Sequence, residues 1–117
     1  MAFSKTIPQM RDRSKTVTRR VGWASLAPGT RLLAIEKGQG LKKGERVVPL
    51  GVIEVVDVRQ EPLELLLLDE RYALVEVALE GFPGRAPADF VALFGTDPAL
   101  LVTRIKFRHV EEESHGQ

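Results

Sequence analysis

Between Arg11 and Arg20 the chain carries Arg11, Arg13, Lys15, Arg19 and Arg20, opposed only by Asp12. Ser14, Thr16 and Thr18 lie among them. Clustered cations beside small hydroxyls are what a phosphate or polyanion site requires: guanidinium groups offer planar forks, and hydroxyls offer short, adaptable donors. On charge alone, a solvated basic strand that aids solubility is an equal alternative.

These residues must be positioned by local structure, and the order of types constrains it. Thr16, Val17 and Thr18 are β-branched, so this stretch reads as a strand or its entrance. In a regular strand Lys15 and Thr18 face opposite sides, whereas Thr18 and Arg20 share one. Lys15 and Thr18 therefore converge only if Lys15 lies on the turn entering the strand, or if a bulge breaks the alternation near Thr16. Upstream, Ala2–Ser4 reads as a short first strand. Thr6 and Pro8 open a short helix from about Ile7 to Asp12, with Ile7, Met10 and Val17 facing the core.

Downstream, Gly22-Trp23 and Pro28-Gly29 punctuate the chain. Arg31–Glu36 and Val47–Arg59 are strand candidates, and Gly51 marks a bulge or sharp bend in the second. After Pro62 the apolar spacing becomes helical: Leu63, Leu66 and Leu67, then Leu74, Val75, Ala78 and Leu79. Asp69 is placed to cap a helix that ends at Gly81, and Pro87 to open one carrying Phe90, Val91 and Phe94. Leu100–Val110 reads as a closing strand. Strands, then helices, then one strand make an α+β order rather than a βαβ repeat.

A length of 117 residues fits one domain, here residues 1–110, followed by a disordered polar tail at 111–117. Cysteine is absent, which excludes disulfides, thiolate metal sites and a cysteine nucleophile. His109 and His115 are too few for a zinc site, and Lys37-Gly-Gln-Gly40 lacks the length and ending of a P-loop and reads as a hairpin loop. No metal or cofactor is expected. The N-terminus has no apolar signal-peptide core, and the apolar runs, Leu65–Leu68 among them, are far too short to span a membrane. A cytoplasmic protein is the expectation. Asparagine is absent, as in many thermophile proteins, and a GC-rich genome would bias composition similarly. Net charge is +1, yet residues 1–60 hold 12 Lys and Arg against 5 Asp and Glu, and residues 61–117 hold 5 against 11. Either the first half meets an anionic partner, or the two halves attract each other within the fold.

From the lysine onward, Lys15-Thr16-Val17-Thr18-Arg19-Arg20 resembles the motif of the ASCH domain family, a branch of the PUA-like barrels. Gly22-Trp23, Pro28-Gly29, Glu54-Val-Val and Glu80-Gly81-Phe82 fall where such domains have theirs, so the resemblance runs from Phe3 to Phe107. One departure is Arg13, which occupies the motif's glycine position. The resemblance implies a small PUA-like β-barrel of about five to six strands with two or three helices at one side. It implies a cleft for RNA or a nucleotide, with Arg13, Lys15, Thr18, Arg19, Arg20 and Trp23 as candidate contacts. Arg19 is expected to be secondary, facing solvent opposite Arg20. A base could stack on Trp23, although a lone tryptophan in a small domain is expected in the core. Some small bacterial members look like amidohydrolases that deacetylate 4-acetylcytidine. Their active set falls on Lys15, Thr18 and Glu80, whereas Glu80 by itself reads as a polar residue before the helix-ending Gly81.

RNA or nucleotide binding is the leading expectation, amide hydrolysis on an acylated cytidine the second, and a protein-interaction domain the third. The chain is expected to be a monomer or a homodimer, with exposed leucines among 65–68 as the dimer patch. Convergence of Lys15, Thr18, Arg20 and Glu80 on one cleft would favour the enzyme.

Overall fold

The computed structural model describes residues 1–38 and 43–111. In chain order the elements are α1 (Ile7–Arg11), β1 (Val17–Arg20), β2 (Arg31–Ile35), β3 (Pro49–Pro62), α2 (Leu65–Leu68), α3 (Glu70–Leu79), α4 (Pro87–Ala92) and β4 (Leu101–His109). The four strands form one antiparallel sheet in the order β1-β4-β3-β2. The sheet curls into a half-barrel with the helices packed against it. This is an α+β fold, as expected, with four strands among the described residues rather than a closed barrel of five or six. The expected first strand explains the difference. Ala2 makes a single parallel bridge to Ile35, and the chain then turns, with the Thr6 amide bonded to the Phe3 carbonyl, into α1.

Two bulges set the curl. Ala34 pairs with Gly51 and Ile35 with Pro49, so Leu50 is an extra residue beside Gly51, where the sequence suggests a bend. Val55 pairs with Phe107 and Asp57 with Lys106, so Val56 is extra as well. Each bulge bends its strand and sharpens the local twist. This lets the 14-residue β3 pair with both β2 and β4.

The core has two parts. Phe3, Met10, Ala34, Ile53 and Phe107 pack at the α1 end. Leu63, Leu66, Ala73, Val77, Phe90, Val91 and Val102 pack beneath α2, α3 and α4. Asp69 caps α3 by accepting from the Tyr72 amide at 3.1 Å. Thr6 occupies the N-cap of α1, but its side chain makes no capping bond. The face of α3 differs from the periodicity reading. Leu74 and Val75 are exposed, as is Leu67 on α2, and the buried positions are Ala73, Glu76, Val77 and, at the C-cap, Glu80. That stripe keeps helical spacing but carries two glutamates, so an apolar count selects the wrong side. The four leucines divide in the same way, with Leu66 buried and Leu68 78% exposed. Of the expected tail only Glu111 is described; residues 112–117 lie outside the described residues, as does part of the Lys37–Gly44 loop.

Candidate functional site

The strand containing the motif begins at Val17, so Lys15 and Thr16 belong to the segment that enters it. The Lys15 amide donates to the Gln9 carbonyl at 3.2 Å, and the Thr16 amide to the Leu79 carbonyl at 3.0 Å. Arg13 has φ of 66°, the left-handed region that glycine enters without steric cost. The glycine position of the motif is thus a backbone requirement, which Arg13 meets under strain. The resulting turn frees Lys15 from strand alternation.

Lys15, Thr18, Arg19, Arg20 and Glu80 all line one cavity of about 240 Å³. Lys15 is 3% exposed, and its Nζ donates to the Glu80 carbonyl at 2.6 Å and to Glu80 Oε1 at 3.0 Å. Glu80 reaches the cavity because α3 ends there and Gly81 follows at φ 105°. A side chain at Gly81 would lie 3.0 Å from Gln9 Cγ and 3.6 Å from Lys15 Cβ. The close approach of α3 to the Lys15 turn therefore depends on that glycine. His109 contacts the Lys15 carbonyl through Nε2 at 2.7 Å and fixes the turn from β4. Burial pulls the Lys15 ammonium below its usual pKa. Glu80 offsets part of this, and the charges of Arg20 and Arg19 add to it.

Thr18 and Arg20 share a face, as strand alternation requires. Arg20 Nε donates to Thr18 Oγ1 at 3.1 Å, and its Nη2 to the Ala2 carbonyl at 2.6 Å. The guanidinium carbon lies 4.7 Å from the centroid of the Phe3 ring, a cation–π contact. A charged donor on a hydroxyl oxygen stabilises negative charge that develops there. The opposite wall is apolar, formed by Phe82, Phe90, Leu93 and Phe94. Phe90 meets Phe94 edge-on at 5.6 Å.

Arg19 corrects the expectation that it faces solvent. Its side chain is 0% exposed. Nε and Nη2 bind Glu61 Oε1 at 2.9 and 2.6 Å, Nη1 binds Glu80 Oε2 at 2.9 Å, and Nη2 also reaches Glu76 and Tyr72. Burial pulls its pKa down, but Glu80, Glu61 and Glu76 outweigh that and raise it. Arg104 holds Glu76 from the other side. With every guanidinium nitrogen bonded to a carboxylate in a buried position, Arg19 positions Glu80. Glu61, Tyr72, Glu76 and Arg104 were not anticipated. The available signal was the pair Glu76 and Glu80, one turn apart on the stripe with Ala73 and Val77 (a buried charge demands a partner).

Two further residues stand apart from the cavity. Arg13 is exposed and lies 3.8 Å from Glu111. Trp23, expected in the core, is 44% exposed. The strand ends at Arg20, and Gly22 and Trp23 take φ values of 87° and 62°, turning the indole out of the sheet. Trp23 lines a second, open groove that also includes Arg20.

The two halves of the sequence thus meet inside the fold: Lys15 pairs with Glu80, and Arg19 with Glu61, Glu76 and Glu80. Arg11 pairs with Glu36 at the surface. Among the described residues Arg20 forms no ion pair with a carboxylate. Burial lowers its pKa, and Glu80 offsets this only in part. No group of three or more potential metal ligands occurs among the described residues.

No family model matches the chain, and no curated protein matches it. The fold is similar to the crystal structure of protein EF3133 from Enterococcus faecalis V583, assigned to DUF984, with a TM-score of 0.57 at 14% identity. The match covers 96% of this chain and 76% of that one. At that identity the likeness shows the fold alone: a curled antiparallel sheet with a few helices.

Proposed function

We propose that the cavity receives the base of a modified nucleoside or nucleotide, and that Lys15, Thr18 and Glu80 hydrolyse an acyl amide on it. The observation that carries this reading is the convergence of a desolvated lysine, a threonine and a glutamate on one cavity. The resemblance of Lys15 to Arg20 to the ASCH motif agrees with it. The volume of about 240 Å³ is smaller than the roughly 300–1,000 Å³ of sites that enclose drug-sized ligands. It suits one ring system, with phenyl groups against its faces and polar groups at its edge.

In this reading Lys15, as the neutral amine, accepts the Thr18 proton while Thr18 Oγ1 bonds to the acyl carbon. Arg20 polarises the hydroxyl it already contacts. The tetrahedral intermediate collapses with cleavage of the C–N bond, and the amine leaves with a proton delivered through Lys15 and Glu80. Water, deprotonated by Lys15, then hydrolyses the Thr18 ester and restores the hydroxyl.

Incubation with 4-acetylcytidine and chromatography for cytidine tests the proposal. We expect turnover that falls at least roughly 100-fold in Lys15→Ala and in Thr18→Ala. Turnover that survives both substitutions together would refute the assigned roles. A second reading, binding of RNA or a nucleotide without turnover, is favoured by Arg20, a half-buried cation that forms no ion pair with a carboxylate among the described residues. No turnover on any acylated nucleoside, together with RNA binding that weakens steeply with salt, would select it.

A further inference from the structure

The inner cavity does not stand alone. Ala2, Ser4 and Arg20 line both it and the open groove, which has a volume of about 540 Å³ and is completed by Met1, Trp23, Ile35, Lys37 and Gly38. Arg20 therefore stands at the junction between the two spaces. On one side it holds Thr18; on the other it offers the positive charge that no carboxylate neutralises among the described residues.

Trp23 is presented to this groove by design of the backbone. Gly22 and Trp23 both have positive φ, at 87° and 62°. For tryptophan that conformation costs about 1–2 kcal/mol, and such strain persists only where the surroundings hold it. They do: the Thr103 hydroxyl donates to the Gly22 carbonyl, and the Leu26 amide donates to the Trp23 carbonyl at 3.1 Å. A bulky aromatic in a strained, anchored turn, with 44% of its surface in solvent, buries too little to explain its position by packing. Lys37, with Nζ 3.0 Å from Glu45, adds a second cation to the groove.

We propose that this groove is a subsite for the neighbouring nucleotide, so that a base within an oligonucleotide is bound more tightly than a free nucleoside. The neighbouring base stacks on Trp23, the intervening phosphate meets Arg20, and Lys37 lies along the path of the next phosphate. This rests on the inner cavity holding a base, and it adds a preference for a linked neighbour. Stacking on an aromatic side chain tolerates any base, so the subsite selects for chain context and not for sequence.

The protein has a single tryptophan, so intrinsic fluorescence reports on this groove directly and without turnover. Wild-type protein is titrated with cytidine, CMP and the dinucleoside monophosphates CpA and ApC, and affinities are measured in parallel by calorimetry. We expect saturable quenching by at least one dinucleotide, little by cytidine or CMP, and a dinucleotide affinity roughly tenfold above that of CMP. In Trp23→Ala that preference should fall toward one. Binding of cytidine and the dinucleotides with equal affinity, or dinucleotide binding without quenching, would overturn the subsite. Saturable quenching in a protein that turns over no acylated nucleoside would support the subsite and remove the hydrolase reading alone. No binding by any of the four would overturn both.

Discussion

Replacing Arg19 with methionine removes a guanidinium that touches Glu61, Glu76 and Glu80 in a fully buried position. Methionine conserves most of the length, so the perturbation is chiefly electrostatic. Glu76 keeps Arg104, Glu80 keeps Lys15, and Glu61 keeps Tyr72 and Arg59. Breaking a buried pair by removing one partner costs about 3–5 kcal/mol. For a chain of this length that lowers the melting temperature by about 12–20 °C. The loss should depend on pH. Burial raises the Glu76 pKa, but hydrogen bonds from Arg104 and Arg19 outweigh it and hold the group below its usual value of 4.5. A depressed carboxylate contributes stability that is present above the unfolded pKa and is lost as pH falls through the folded pKa. The difference between wild type and variant is therefore largest at neutral pH and narrows in acid, where the carboxylates are protonated in both. Urea unfolding at pH 7 and across the acid range measures this. A loss below about 1 kcal/mol at pH 7, or one that does not change with pH, would refute the reasoning. Arg19→Lys should lie between the two, because an ammonium cannot span three carboxylates.

The Arg13→Gly variant should gain about 0.5–1 kcal/mol, since glycine removes the strain at φ 66° while losing more chain entropy on folding; thermal unfolding checks it. Gly81→Ala should lose about 1–3 kcal/mol, because the added Cβ would meet Gln9 Cγ at 3.0 Å with φ at 105°, and turnover should fall with it as Glu80 and the Lys15 turn separate. If Lys15 is the base, kcat/KM for an acylated nucleoside rises with pH as the ammonium loses its proton. Because the folded pKa is lowered from 10.5, the midpoint of the rise should lie below that value, and a rate independent of pH would exclude the role.

Much of the fold was legible because its signals are local. The β-branched runs in β3 and β4, the cap at Asp69 and the prolines at α1 and α4 mark elements whose ends agree with the structure within a few residues. The barrel closure was not legible, since a segment such as Ala2–Ser4 is equally suited to a bridge or a ladder, and only its partner decides. The face of α3 was misjudged for a physical reason. Burial there is sustained by Arg19 and Arg104 ion pairs, which an apolar period cannot register. At the site, strand alternation correctly demanded a break before Val17, and Arg13 supplies it. Charge counting, by contrast, treated five cations as one patch, whereas pairing neutralises most of them and singles out Arg20.

Burial lowers the Lys15 pKa even beside a carboxylate, and the sharing of Glu80 weakens what opposes it. A carboxylate dedicated to Lys15 would stabilise the ammonium through both oxygens. Here Oε1 faces Lys15 at 3.0 Å and Oε2 faces Arg19 at 2.9 Å. Arg19 therefore competes for the negative charge and also repels the ammonium. Desolvation, the largest effect on Lys15, is left ahead of the attraction to Glu80. The buried cluster of Glu61, Glu76 and Arg104 acts on the same balance, because it fixes where Arg19 sits. Removing the Arg19 charge should then raise the Lys15 pKa, as Glu80 becomes free to serve it alone. In Arg19→Met the rise of kcat/KM should move to higher pH relative to wild type, measured at a temperature where both are folded. The stability loss alone predicts fewer active molecules and no displacement of the profile. A profile that keeps its midpoint while its amplitude falls would limit Arg19 to holding the fold together.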